Sequence, residues 1–230
     1  MPGYSPAKPR QARHAPGGVI YHVLNRAAGR RELFSDAGDY AAFVRVLAET
    51  VDATGMRVCA FCVMPNHWHL VLWPEREGEL SRFMQKLTIT HVRRWVEHRR
   101  RVGYGAVYQG RYKSFPMEDD AHFTTVVRYV ERNPLRANLV KSARSWRWSS
   151  LGQKPSEEAP MVALSRWPVR RRADWAEWVD APQTSAEEAA VLHCLTHGRP
   201  YGGDRWTAAM ESRLKLAPLR KRGRPPAKSV

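Results

Sequence analysis

The chain has 230 residues, with 38 Lys+Arg against 22 Asp+Glu, a formal charge of +16 and a pI near 10.4. That length holds one good core plus a small appendage, and no apolar run approaches the ~20 residues of a membrane span, so no membrane partner is expected. The excess positive charge points to a polyanionic partner, nucleic acid phosphate above all, bound in a salt-dependent way.

In chain order, residues 1–16 read as a basic, Pro/Gly-rich flexible N-terminus with no apolar leader stretch. Val19 to Asn25 reads as a first strand. Asp36 to Ala53 reads as an amphipathic helix, with Phe43, Val44, Leu47 and Val51 at helical spacing. Val58 to Val63 and His67 to Trp73 are rich in strand formers, and Pro65-Asn66 between them is turn chemistry, so the segment predicts a β-hairpin. Strand side chains alternate faces, which puts His67 and His69 side by side and sends Trp68, Leu70 and Leu72 toward a core. Two imidazoles on same-face neighbours of a rigid strand form half of a metal site. The alternative is a histidine capping the turn beside one satisfied in place. Cys59 and Cys62 have the spacing of a zinc half-site. On a strand they would point to opposite faces, and no second pair exists, so they read as structural thiols. With Cys194 they give no disulfide framework, which fits a reduced, cytoplasmic setting.

Leu80 to Arg100 predicts a long helix with Leu80, Phe83, Met84, Leu87 and His91 on one face. The stretch Ser81–Ser114 carries nine Lys/Arg and one acid, Glu97, with Trp95, Tyr104, Tyr108, Tyr112 and Phe115 interleaved. Basic grooves with such aromatics suit unstacked single strands, although many of these rings also suit a core. A fourth strand lies within Ala106 to Pro116. Ala121 to Arg132 predicts another helix, with Tyr129 and Asn133 sharing a face at i, i+4 and Pro134 ending the helix at Asn133. The order strand–helix–strand–strand–helix–strand is the ferredoxin-like split βαβ order: an α+β fold, an antiparallel sheet with helices on one face. Residues 151–183 read as a linker or wrapping segment. Residues 184–219 read as a small helical C-terminal region, with a capping box at Ser185-Ala186-Glu187-Glu188, a stop at Gly198 and a second helix from Asp204. These two helices are either a helix-turn-helix-like unit or a cap. Residues 220–230 form a basic tail, and Arg222 and Arg224 lie in a stretch like a minor-groove arm.

The segment Met64–Trp73 resembles the histidine-hydrophobic-histidine (HUH) motif of single-tyrosine transposases. Val107-Tyr108-Gln109-Gly110-Arg111-Tyr112-Lys113-Ser114, Tyr129-Val130-Glu131-Arg132-Asn133-Pro134-Leu135-Arg136-Ala137 and Trp146-Arg147-Trp148-Ser149-Ser150 resemble blocks of the branch called REP-associated tyrosine transposases. Their order matches from about Gly18 to Ser150, which sets a catalytic domain at 17–150. Gly198 to Trp206 is similar to the C-terminal region of that branch.

The resemblance implies a metal-dependent endonuclease and strand transferase acting on single-stranded DNA beside hairpin-forming repeats, as a monomer or homodimer associated with the nucleoid. Tyr129 would be the nucleophile, forming a 5′-phosphotyrosine link. His67, His69 and Asn133 would hold Mg²⁺ or Mn²⁺. Candidate DNA contacts are Arg26, Lys86, Arg93, Arg94, Arg111, Lys113, Arg222 and Arg224. Two other classes stay open: a hairpin-binding regulator with cleavage lost or incidental, and an RNA-binding module on the same type of sheet.

Overall fold

The computed structural model describes residues 14–103 and 105–219. The expectations for residues 1–13, for Tyr104 and for the tail with Arg222 and Arg224 lie outside the described residues.

Four strands form one antiparallel sheet: β1 (Ile20–Arg26), β2 (Arg57–Met64), β3 (His67–Trp73) and β4 (Lys113–Met117), in the order β2-β3-β1-β4. Two helices complete the split βαβ unit, α1 (Ala37–Thr54) and α2 (Glu79–His98). Asp36 starts α1 by accepting the Asp39 N–H at 2.9 Å, and Gly55 ends it in the left-handed conformation, donating to Val51.

Side-chain alternation gives the sheet two apolar faces. Val23, Phe61, Trp68, Leu70 and Leu72 pack under α1 and α2 with Phe43, Leu47, Phe83 and Leu87. Ile20, Leu24, Cys62, Val71 and Phe115 pack against a third helix, α3 (Ala121–Arg136), through Phe123, Val126 and Val130. The two helices of the split βαβ unit therefore share a face, as expected, and α3, outside that unit, covers the other.

Three local readings are corrected. A bulge in β2 shifts the register between Val58 and Ala60, so Cys59 and Cys62 enter the same core rather than opposite faces. Both are buried free thiols. Burial pushes Cys59 up to about 12 and raises Cys62 as well, so both stay protonated. Second, α3 does not end at Asn133 but runs through Pro134 to Arg136. Proline removes the N–H that would bond Val130 O. The Asn133 side-chain amide replaces it, donating to Val130 O at 3.3 Å and to Tyr129 O at 2.8 Å. Third, the capping box near residue 185 is built on Thr184, whose side chain accepts the Glu187 N–H while Glu187 accepts the Thr184 N–H.

The rest of the chain closes the sheet. Along the outer edge of β2, Val63 donates to Trp148 O, Ser150 to Phe61 O and Ser165 to Val58 O. Tyr201 pairs with β4 on the opposite edge, exchanging bonds with Pro116 and Glu118. Among the described residues, both outer edges thus have backbone partners. The 151–183 segment contains α4 (Trp175–Asp180) and crosses the α3 side, where Trp167 Nε1 donates to Cys59 O and Trp175 Nε1 to the buried Glu131 carboxylate. Ser150 Oγ donates to the same carboxyl group at 2.5 Å, so Glu131 ties α3 to both the edge strap and α4. α5 (Ser185–His197) packs on β4 and α3, and α6 (Asp204–Arg213) buries Met210 in the core under α1 and α2.

Candidate active site

β1 and β3 lie side by side, with Leu24 opposite His69 and Arg26 opposite His67. Residues 22, 24 and 26 of β1 and 67 and 69 of β3 thus face α3. That helix adds Tyr129, Asn133 and Arg136, a single stripe at i, i+4 and i+7. Together with Leu24, Met64, Ala137 and, from α5, Leu192 and Leu195, these groups line a cavity of about 200 Å³. His22 lies deeper, fully buried behind His69.

The His67 and His69 rings stand 4.9 Å apart between centroids, and His69 lies 6.0 Å from the Tyr129 ring. His67 Nδ1 contacts Asn66 Oδ1 at 2.6 Å. A carbonyl oxygen only accepts, so the ring proton sits on Nδ1 and the Nε2 lone pair is left as a ligand. His69 Nδ1 lies 2.8 Å from His22 Nε2, and His69 Nε2 is buried with no hydrogen-bond partner. Burial, with Arg26 and Arg136 nearby, holds His67 down at about 3. Burial also holds His22 at about 3, and pushes His69 well below the usual imidazole range. All three imidazoles are neutral at neutral pH, the form that binds a metal ion.

The Asn133 amide group is held by its own helix, and its Oδ1 accepts from Arg136 Nη2 at 2.8 Å. The same guanidinium donates to the Tyr129 hydroxyl at 3.1 Å and lies over the Tyr129 ring at 4.5 Å. The sequence-predicted residues Tyr129, His67, His69, Asn133 and Arg26 are brought to one cavity. His22, Asn66 and Arg136 were missed. Arg136 could have been found by extending the Tyr129 stripe past Pro134. His22 carried no local signal, because its partner is 47 residues away.

Most of the candidate DNA contacts are not at this cavity. Lys86, Arg93 and Arg94 are exposed on α2, across the sheet from the histidines, and Arg94 pairs with Glu49 at 2.8 Å. Arg93 and Arg111 instead line a larger groove of about 840 Å³ between α2 and residues 106–112, with Ile89 and Val92 in its wall. Lys113 is exposed at the start of β4, beside the end of α5. Of the interleaved aromatics, Trp95, Tyr108 and Phe115 are core residues. Tyr108 is fixed by Trp68 Nε1, which donates to its hydroxyl, and by His91 Nδ1, which accepts from it at 2.7 Å.

Among the described residues a second group with metal-ligand chemistry, Glu118, Asp120 and His122, sits at the other end of α3. Its members already serve the fold. Asp120 caps α3 through the His122 N–H, and Glu118 accepts the Gly203 N–H.

Residues 17–133 match the model of a family described as "Transposase IS200 like". The matched stretch contains His22, Asn66, His67, His69, Tyr129 and Asn133, and stops short of Arg136. No curated protein matches the chain. A solved REP-associated tyrosine transposase bound to a REP hairpin is 17% identical, with a TM-score of 0.50, over 73% of this chain and 100% of that one. A solved chain described as a transposase from Deinococcus radiodurans R1 is 18% identical, with a TM-score of 0.39, over 54% of this chain and 95% of that one. At these identities the first likeness is one of fold.

Proposed function

The chain belongs to the IS200-like transposase family, and from that premise we propose that this DNA transposase cuts and rejoins single-stranded DNA beside a hairpin-forming repeat, with Tyr129 as its nucleophile. The observation that carries the reading is the convergence of Tyr129, His67, His69 and Asn133 on one cavity. The hairpin part is supported by the fold likeness to the REP-associated enzyme solved with its hairpin.

The residues present fit a divalent cation. His69 offers a buried nitrogen with no other partner, His67 offers a second, and the Asn133 oxygen is a third donor. Two neutral imidazoles and one amide oxygen suit Mn²⁺ well and admit Mg²⁺. When bound, such an ion stabilises the charge that builds on the oxygens of the scissile phosphate. The protein supplies the rest. The Tyr129 oxygen forms a bond to phosphorus as the bond to the 3′ oxygen breaks. The phenol gives up one proton and the departing 3′ oxygen gains one, so the exchange is neutral in protons. The 5′-phosphotyrosine keeps the bond energy, and rejoining needs no nucleoside triphosphate. Arg136 holds the phenol toward the cavity and presents a guanidinium where a phosphate would sit.

The regulatory alternative leaves the assembled tyrosine and histidines without a use. The RNA-binding alternative needs an open sheet face for bases, and among the described residues α1 and α2 cover one face and α3 the other. The test is a single-stranded hairpin oligonucleotide incubated with the protein and Mn²⁺, then run on a denaturing gel. A covalent adduct is expected with the native chain and none with Tyr129→Phe. An undiminished adduct in the variant would assign the nucleophile elsewhere.

A further inference from the structure

We propose that His22 is a positioning residue that holds His69 in the tautomer and orientation needed to ligate a cation through Nε2. The inference rests on the metal-site reading above and adds to it a residue outside the ligand set.

Three observations support it. His22 Nε2 lies 2.8 Å from His69 Nδ1, and the two rings meet edge to edge, with centroids 5.0 Å apart and planes inclined by 30°. Among the described residues that contact is the single hydrogen bond of the His22 side chain, whose Nδ1 is buried without a partner. His22 is otherwise held among apolar and aromatic groups, with Phe115 at 5.0 Å and the Tyr129 ring at 6.4 Å. Core packing by itself would favour an apolar ring at this position, since a buried nitrogen without a partner is unfavourable.

Proton bookkeeping then defines the role. Two neutral rings in hydrogen-bond contact share one proton between His22 Nε2 and His69 Nδ1. With that proton on His22, neutral His69 carries its own on Nε2 and presents an N–H to the cavity, which no cation accepts. With it on His69 Nδ1, the Nε2 lone pair faces the cavity and His22 accepts the bond. Both arrangements keep the hydrogen bond; a cation on Nε2 selects the second, which His22 supports by accepting from His69 Nδ1 with its own proton on Nδ1, and its ring fixes the plane of its partner. Asn66 does the same for His67, accepting its Nδ1–H. Each ligand histidine has a dedicated acceptor behind it, one from the hairpin turn and one from the neighbouring strand.

The test is Mn²⁺ affinity measured by calorimetry on the DNA-free protein, for the native chain, His22→Phe, His22→Gln and His69→Ala. His22→Phe keeps a ring in the core and removes the acceptor, so affinity should fall about 10- to 100-fold. His22→Gln places an oxygen near Nε2 and should recover most of that loss. Native affinity in a folded His22→Phe protein would overturn the proposal, as would a Gln variant as weak as Phe. If His22→Phe does not fold, histidine ¹⁵N spectra of the native protein with Mg²⁺ decide. They should show His69 protonated on Nδ1, and protonation on Nε2 would overturn the proposal. His69→Ala separates the two readings. If it leaves Mn²⁺ binding intact, the metal-site reading fails and takes this one with it. If it abolishes binding while His22→Phe does not, the role of His22 alone fails.

Discussion

Arg136 connects two groups that the sequence presents as independent. It donates to the Tyr129 hydroxyl and to Asn133 Oδ1 from the same nitrogen, so the phenol and the amide oxygen are held as a unit. Charge-assisted hydrogen bonds of this kind are stronger than neutral ones, and the two N–H groups of that nitrogen reach both partners while the guanidinium plane lies over the Tyr129 ring at 4.5 Å. Lysine keeps the charge but loses that geometry. Arg136→Lys should therefore slow single-turnover formation of the covalent adduct by about ten-fold or more, a loss of roughly 1.4 kcal/mol. Hairpin affinity in a filter-binding assay should change much less. An equal loss in affinity and rate would show that Arg136 acts in binding alone.

Among the elements, α2 carries a buried polar chain away from the site. Trp68 Nε1 donates to the Tyr108 hydroxyl, which donates to His91 Nδ1. Burial holds His91 at about 3, against an ordinary value of 6.5. In the fold it stays neutral while the unfolded chain takes up a proton below about pH 6.5. The stability from this site is therefore complete above 6.5 and falls as pH drops toward 3, by at most about 1.4 kcal/mol per pH unit. His22, His67 and His69 are shifted in the same direction, so the native protein should lose stability steeply in acid. His91→Asn keeps an acceptor for Tyr108 and removes one titrating group. Its unfolding free energy, from urea titrations between pH 7 and 5, should fall less steeply by about that amount. Equal slopes would place His91 outside the acid response.

At the scale of the whole molecule, what was legible in the sequence was what is local. The hairpin histidines share a face because strand alternation puts them there, and the strand and helix order fixes a split βαβ sheet. The cavity needs more than local pattern. His22 backs its His69 wall through the pairing of β1 with β3, which no spacing encodes. Arg136 joins it because the Asn133 amide lets α3 continue through a proline that reads as a stop. The charge run of α2 gave no sign that Lys86, Arg93 and Arg94 lie across the sheet from the tyrosine. The Trp146–Ser150 block has no periodicity that marks it as a strap, and its place along the edge of β2 is set by backbone bonds to Phe61 and Val63. Elements more than a hundred residues apart, such as β1 with His22 and α3 with Tyr129, thus converge on one hydroxyl group. The most direct measurement is mass spectrometry of the protease-digested covalent adduct formed with a hairpin oligonucleotide and Mn²⁺. The expected product is a nucleotide joined through its 5′ phosphate to the peptide containing Tyr129, at Tyr129 itself. A nucleotide on any other residue, or a cleaved product with no protein attached at any time, would contradict Tyr129 as the nucleophile.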